Sequence, residues 1–272
     1  MHPMAKFLST LDEFVGIFKH NFVKQRKHPD FHRLTVRAAG RFWQVSDGKE
    51  TIMIAVLSRW RRYRKLGVAG FCADLARDYG EGTFFKVGQG DTIIDIGANI
   101  GEFTCFCLSR GAQVLAVEAD RTIHEVLQCN VGARPGARTR NVAIAAENGT
   151  MTFYSSIEGA DSSLVRPDVV DESYEVEAVT LARLIDEAGF DHVDLVKCDA
   201  EGAEPEVIRG ALPVLHRIRR IAIDCGAERQ GEATDSIVGA ILEDAGFSVR
   251  IGDVHPGRRI VWATNRAIER AA

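Results

Sequence analysis

Apolar positions follow two regimes along the chain, loosely helical up to about residue 90 and short, β-branched and regularly interrupted beyond it. Thr92–Ile96 is an apolar run with one acid inside it, the pattern of a strand buried on both faces of a parallel sheet. Gly97 and Gly101 bracket a turn, and Glu102–Arg110 follows with Phe103, Phe106 and Cys107 at helical spacing. Val114–Glu118 reads as a buried strand ending in an acid, and Thr122 as the cap of a helix carrying Ile123, Val126, Leu127 and Asn130. Asn141–Ala145 is predicted as a third short strand, and Met151–Tyr154 and Glu175–Val179 as strands flanking a polar loop. Leu181, Leu184, Ile185 and Ala188 define an amphipathic helix closed by Gly189. Strand Val193–Cys198, helix Glu204–Ala211 with Pro205 in its first turn, strand Arg220–Cys225 and helix Asp235–Ala245 complete the alternation. Phe247–Ile251 and Ile260–Thr264 form a closing pair. The sum is an α/β fold, Rossmann-like, with a mostly parallel sheet and an antiparallel C-terminal strand pair.

Ahead of this lies a mainly helical extension, with the boundary placed at 85/86. Phe7, Leu8, Leu11, Val15, Phe18 and Phe22 form a helical stripe; packing on the main domain is the first reading and a membrane-surface helix the second. Leu34–Val45 reads as a strand or hairpin with a turn at Ser46-Asp47-Gly48. Thr51–Leu66 reads as a second helix, Phe71–Tyr79 as another. Arg59–Lys65, with four arginines and a lysine in seven residues, is either a solvated helix face with Trp60 and Tyr63 tucked inward or a patch for phosphate, nucleic acid, or an anionic lipid or glycan.

Charge sharpens that division. Residues 1–90 carry 16 Lys/Arg against 8 Asp/Glu, and the remainder 18 against 30, so a basic front precedes an acidic body. No apolar run approaches the ~20 residues of a membrane span, and charges interrupt any signal-peptide core, which places the protein in the cytoplasm. The six cysteines lie mostly in apolar segments without metal-ligand spacing and read as reduced. No zinc or other metal site is assigned.

Two stretches carry candidate chemistry. A strand, glycine turn and helix bring backbone N–H groups and a helix N-terminus to a ligand at the carboxyl edge of a sheet. The third glycine of dinucleotide folds and the Gly-Lys-Ser/Thr of a P-loop are both missing. Glu118, 23 residues after Asp95, suits the vicinal hydroxyls of a ribose. Asp95 and Asn99 suit an amino acid's ammonium group or a helix-terminal network, and the first of these favours S-adenosylmethionine over a nicotinamide dinucleotide. The second stretch is Lys197-Cys-Asp-Ala-Glu-Gly-Ala-Glu204, where Asp199, Glu201, Glu204 and Lys197 crowd one strand-to-helix turn. They read as a helix cap with a Lys197 ion pair, as a base for an acceptor hydroxyl, or as ligands of a divalent cation.

In order, Asp-Ile-Gly-Ala-Asn-Ile-Gly, Val-Glu-Ala-Asp, Asn-Val-Ala, Val-Thr-Leu and Leu-Val-Lys-Cys-Asp-Ala-Glu-Gly-Ala-Glu-x-x-Val-Ile-x-Gly-Ala resemble the FkbM-type methyltransferases between Asp91 and Cys225. The resemblance implies a class I S-adenosylmethionine-dependent fold and O-methylation of a sugar, glycan or secondary metabolite. It implies that Asp95, Gly97, Ala98, Asn99 and Gly101 line the methionine end of the cofactor, that Glu118 and Ala119 hold the ribose, and that Asn141 and Ala143 lie near the adenine. Asp199, shared with the cofactor side, would face the acceptor with Glu201 and Glu204, with Ser162 and Ser163 nearby. The chain departs from the family pattern at Glu118-Ala119, where Glu-Pro is usual, and at Asp224-Cys225, where the strand often ends in Glu. The alternative is a nucleic-acid methyltransferase using the basic front. Assembly is left open, a homodimer included.

Overall fold

A computed structural model describes residues 3–28, 30–155, 172–229 and 231–269, in two units, Met1–Leu75 and Ala76–Ala272. In the first unit, helix Pro3–Lys19 runs on through a π-helical turn, His20–Lys24. Three antiparallel strands follow as a meander: β1 (Thr35–Ala39), β2 (Phe42–Ser46) and β3 (Thr51–Ile54). The helix expected over Thr51–Leu66 is therefore two elements. Ile52 and Ile54 are buried while Thr51 is exposed, a period of two that pairs with β2. Leu57–Arg64 is then a 3₁₀-helix whose three-residue turn brings Leu57, Trp60 and Tyr63 inward together. The basic cluster is thus the outer side of a buried aromatic pair. The first helix and the turn that continues it bury Ile17 and His20 within the first unit, while Leu11, Val15, Phe18 and Phe22 are exposed.

The second unit contains the alternating pattern. β4 (Thr92–Ile96), β5 (Gln113–Val117) and β6 (Ala137–Arg140) are parallel neighbours. β7 (Ala143–Ile144), β8 (Gly149–Ser155) and β9 (Glu172–Val179) form a separate three-stranded sheet. β10 (Val193–Cys198), β11 (Ile218–Asp224), β12 (Phe247–His255) and β13 (Arg258–Asn265) return to the main sheet, whose order is β12-β13-β11-β10-β4-β5-β6. β10 is parallel to both β4 and β11, while β13 is antiparallel to β11 and β12. The expected third strand at Asn141–Ala145 is corrected: the sheet strand is β6, and only Ala143–Ile144 is extended, in the smaller sheet. β6 reads Ala-Arg-Thr-Arg and sits at the sheet edge, where an apolar run is not required, so its pattern carries no buried-strand signal.

Ile94, Leu115, Val196, Val207, Ile221 and Val238 belong to one continuous core between the sheet and its helices. Helix Leu181–Ala188 is capped by the Thr180 hydroxyl, which accepts from the Arg183 N–H, and ends on left-handed Gly189. Helix Arg121–Val131 starts two residues earlier than expected. Asp120, not Thr122, caps it, accepting from the N–H groups of Thr122 and Ile123. The order in which strands are added reverses between the parallel neighbours β4 and β10: β5 and β6 build outward on one side, β11 and β13 on the other. In open α/β sheets that switch point is where the crevice for ligands opens. Among the described residues no helix is long and apolar enough to cross a membrane.

Candidate active site

The two motif turns, a hundred residues apart, meet at the switch point and are bound together. The Asp199 N–H donates to the Ile96 carbonyl at 3.1 Å. Lys197, buried on β10, pairs with the buried Asp95 of β4 at 3.1 Å and donates to the carbonyls of Gly97 at 2.8 Å and Ile96 at 3.2 Å. The other Asp95 oxygen accepts from the Thr104 hydroxyl at 2.6 Å. Burial alone would lower the Lys197 ammonium, but the adjacent charges of Asp95 and Asp199 carry it above its ordinary value. Gly97 has φ +64, and a Cβ on it would overlap the Asp199 carbonyl oxygen. Its missing side chain is thus required by the neighbouring turn. At Gly101, with φ +93, an added Cβ would stand 2.7 Å from Leu127 Cδ1, so this glycine lets the following helix Arg121–Val131 pack closely.

On the β5 side, Glu118 reaches back to the first turn. One carboxylate oxygen accepts from the Asn99 N–H at 2.8 Å and the other from the Asp120 N–H at 2.9 Å. Asn99 has φ +50, a left-handed conformation in which its own side chain accepts from the Ile100 N–H. Burial pushes the Glu118 carboxyl up to about 7, against the two backbone donors. The Ala98 N–H donates to the Val117 carbonyl, and the Asn141 side chain donates to the carbonyls of Glu118 and Ala119, tying the loop after β6 to the same edge. Ala143 is buried in β7.

Beside Asp199 the structure assembles groups that no local pattern connects. Tyr79, fully buried, donates its hydroxyl to Asp199 Oδ2 at 2.6 Å. Two cations lie over its ring, Lys197 Nζ at 5.1 Å and Arg258 Cζ at 4.8 Å from the centroid. Burial and then the Asp199 charge raise the Tyr79 phenol well above its usual value, so it remains a donor. Arg258 in turn pairs with Asp224 at 2.7 Å and Asp78 at 3.2 Å. Asp199, Glu201 and Glu228 each bring a carboxylate oxygen within 4.8 Å of the others, a spacing at which carboxylates share a proton or a divalent cation. Loss of water around the carboxyl, then the neighbouring Asp199 and Asp224 charges, raise Glu228, although the residue as a whole is exposed. Glu201 stands at φ +49, the second non-glycine residue in that region among those described, so both turns hold a backbone conformation that side chains seldom adopt.

The predicted residues therefore separate by surroundings. Asp199 and Glu201 are partly exposed at the crevice. Glu204 is completely buried, one oxygen accepting from the Gly202 N–H and the other from the Thr234 hydroxyl, both at 2.8 Å. Asp95 and Lys197 are buried partners of each other. Ser162 and Ser163 lie outside the described residues. Sequence reasoning missed Tyr79, Glu228 and Arg258. Glu118 and Asp199 directly follow β5 and β10, but Glu228 comes in the loop beyond Asp224, the last residue of β11, so strand-end position did not mark it. Tyr79 gave no signal either.

The motifs that meet at this crevice lie in a stretch, residues 95–249, that matches the model of the methyltransferase FkbM domain. The chain belongs to the FkbM methyltransferase family. It is a methyltransferase that depends on S-adenosylmethionine. Methyltransferase sdnD of Sordaria araneosa is 27% identical over 194 residues, covering 58% of this chain and 73% of its own. Hexuronic acid methyltransferase AglP of Haloferax volcanii is 24% identical over 140 residues, 51% of this chain and 57% of its own, so the match spans a little over half of that relative. Among solved structures, a SAM dependent methyltransferase from Aquifex aeolicus superposes with a TM-score of 0.44 at 15% identity, covering 71% of this chain and 89% of that one.

The FkbM domain's β5 edge fits the cofactor. Glu118 is a partly exposed carboxylate whose oxygens accept one backbone N–H each in the hydrogen bonds above, and each keeps capacity for a hydroxyl donor. A ribose diol supplies two such donors. Replacing Glu118 with alanine is expected to weaken S-adenosylhomocysteine binding by about 1–3 kcal/mol, the cost of unpaired polar partners; calorimetry that finds unchanged affinity contradicts the ribose role. The wild-type protein should also bind more tightly as pH rises through about 7, because the hydroxyls donate to the ionised form of a group that holds its proton to that pH. The free protein should show the opposite trend from this residue. Its folded value lies above the ordinary one, so its contribution to stability is full below the ordinary carboxylate range and is lost as pH rises through about 7.

Proposed function

We propose that this methyltransferase acts on oxygen, transferring its methyl group to a hydroxyl of a sugar, a glycan or a secondary metabolite in the cytoplasm, with Asp199 as the base that takes the hydroxyl proton. The observation that carries this reading is the setting of Asp199: partly exposed at the switch point, with one oxygen fixed by the Tyr79 hydroxyl. The activity is assigned to residues 86–272 with residues 1–85 as an extension, and Tyr79 reaches the site from just outside that span.

Bound S-adenosylmethionine supplies a methyl group already activated by its sulfonium. The chain's own work is to hold the acceptor in line and to remove its proton. Tyr79 fixes the Asp199 carboxylate in one orientation. Lys197 and Asp95 lock the β4 and β10 turns, which keeps Asp199 beside the glycine turn. Glu204 has a supporting part in this reading, since its two hydrogen bonds hold the acidic turn against Thr234. Glu201 adds a second carboxylate for acceptor hydroxyls, and the similarity to a hexuronic acid methyltransferase supports a sugar-type acceptor.

A panel of hexoses, uronic acids, hydroxylated natural products and RNA, screened with methyl-labelled S-adenosylmethionine, tests the reading. Label is expected in an alkali-stable ether of a small molecule. Label only in an alkali-labile ester, in an amine or in RNA would replace it.

A further inference from the structure

The outward face of the first helix is apolar, although the helix already buries its other face. On the inner side, Ile17 and His20 are buried, and Glu13 accepts from Trp60 Nε1 at 2.9 Å and pairs with Arg61 at 2.7 Å. On the outer side, Leu11 is 50% exposed and Phe18 60% exposed, with Phe14, Val15 and Phe22 also exposed between and beyond them. Positions 11, 14, 15, 18 and 22 share one helical face. The Phe18 and Phe22 rings lie tilted against each other with centroids 4.6 Å apart, so the stripe is continuous. An apolar stripe of this extent, on a helix whose other side is already packed, marks a surface that meets a partner.

Cations border the stripe. Lys19, Lys24, Arg26, Lys27 and Arg33 are exposed, and the Arg33 guanidinium lies over the Phe22 ring at 5.2 Å. A second copy of the chain would bring these positive groups face to face. A nucleic acid would satisfy the cations but leave Leu11 and Val15 in water. An anionic bilayer surface answers both, taking apolar side chains at the acyl boundary and cations at the headgroups. We propose that helix Pro3–Lys19 with its continuation His20–Lys24 docks the protein onto anionic lipid membranes, lying in the interface without crossing it. This inference stands apart from the assignment of the acceptor.

The test is sedimentation of the full chain with vesicles of phosphatidylcholine alone or mixed with phosphatidylglycerol. Binding is expected to the mixed vesicles, at least ~10-fold weaker to phosphatidylcholine alone, and weakened by added salt. The variant Phe18→Asp/Phe22→Asp should lose ~10-fold or more in affinity, while its S-adenosylhomocysteine affinity by calorimetry matches wild type. Should that variant fail to fold, Lys24→Glu/Lys27→Glu, which alters only exposed side chains, must show the same loss. Wild-type protein that stays in solution with mixed vesicles overturns the proposal, as do folded variants that sediment as well as wild type. A dimer dissolved by the Phe18→Asp/Phe22→Asp change, or a salt-sensitive RNA complex without vesicle binding, would replace it with self-association or nucleic-acid docking.

Discussion

Alanine at Gly97 is expected to destabilise the protein by about 3 kcal/mol or more and to abolish S-adenosylhomocysteine binding. Two costs add at this one position. The left-handed φ of +64 penalises any Cβ by about 1–2 kcal/mol. The Cβ would also overlap the Asp199 carbonyl oxygen, and overpacking costs about 1–3 kcal/mol when neighbours have to shift. That neighbour cannot yield cheaply, because it is backbone pinned by the Asp199 N–H to Ile96 bond and by Lys197 on the facing carbonyls. Separating the turns would move both sides of the crevice together. Gly101→Ala is the comparison: it meets the ends of Leu127 and Val131 side chains, which rotate more readily. Chemical unfolding and calorimetry on the two variants check the ordering. A Gly97→Ala protein with wild-type unfolding midpoint and cofactor affinity would mean that the turns are not locked as described.

Asparagine at Asp199 is expected to lower turnover by about 10²–10⁴-fold, the range for loss of a positioned base, while leaving cofactor affinity and unfolding midpoint close to wild type. The amide oxygen can still accept from the Tyr79 hydroxyl, and the backbone bond to Ile96 is untouched, so the turn keeps its shape. What disappears is the capacity to take a proton at neutral pH. The measurement is single-turnover transfer of labelled methyl to whichever acceptor the panel yields, alongside calorimetry with S-adenosylhomocysteine. Turnover within a few-fold of wild type would remove Asp199 from the role of base. Equal loss of turnover and cofactor affinity would move it to the cofactor side.

The contrast between these two residues and Tyr79 indicates what a sequence can carry. Gly97 and Asp199 belong to short motifs, strand then turn then helix, whose local pattern is dictated by backbone geometry and is visible wherever the strand's apolar run ends. Tyr79 lies 120 residues from Asp199 and at the end of a helix with no motif of its own. A hydrogen bond over that separation leaves no periodicity in either segment. β6 escaped notice for a related reason, since an edge strand needs no apolar run. The first helix gave the reverse problem: its stripe was plain, but periodicity marks an apolar face without saying what covers it.

By itself, then, the sequence determined the α/β alternation, the parallel sheet with its antiparallel finish, the two motif turns and the family they point to, because these follow from local backbone preferences and from which faces must be buried. Only the tertiary structure decided that Gly97 is a glycine for the sake of Asp199, that Lys197 and Asp95 form the lock between the turns, and that Tyr79, Arg258 and Glu228 complete the acidic side. Those contacts join residues distant in the chain, and the free energy that selects them depends on burial and approach distance, which exist only once the sheet has formed.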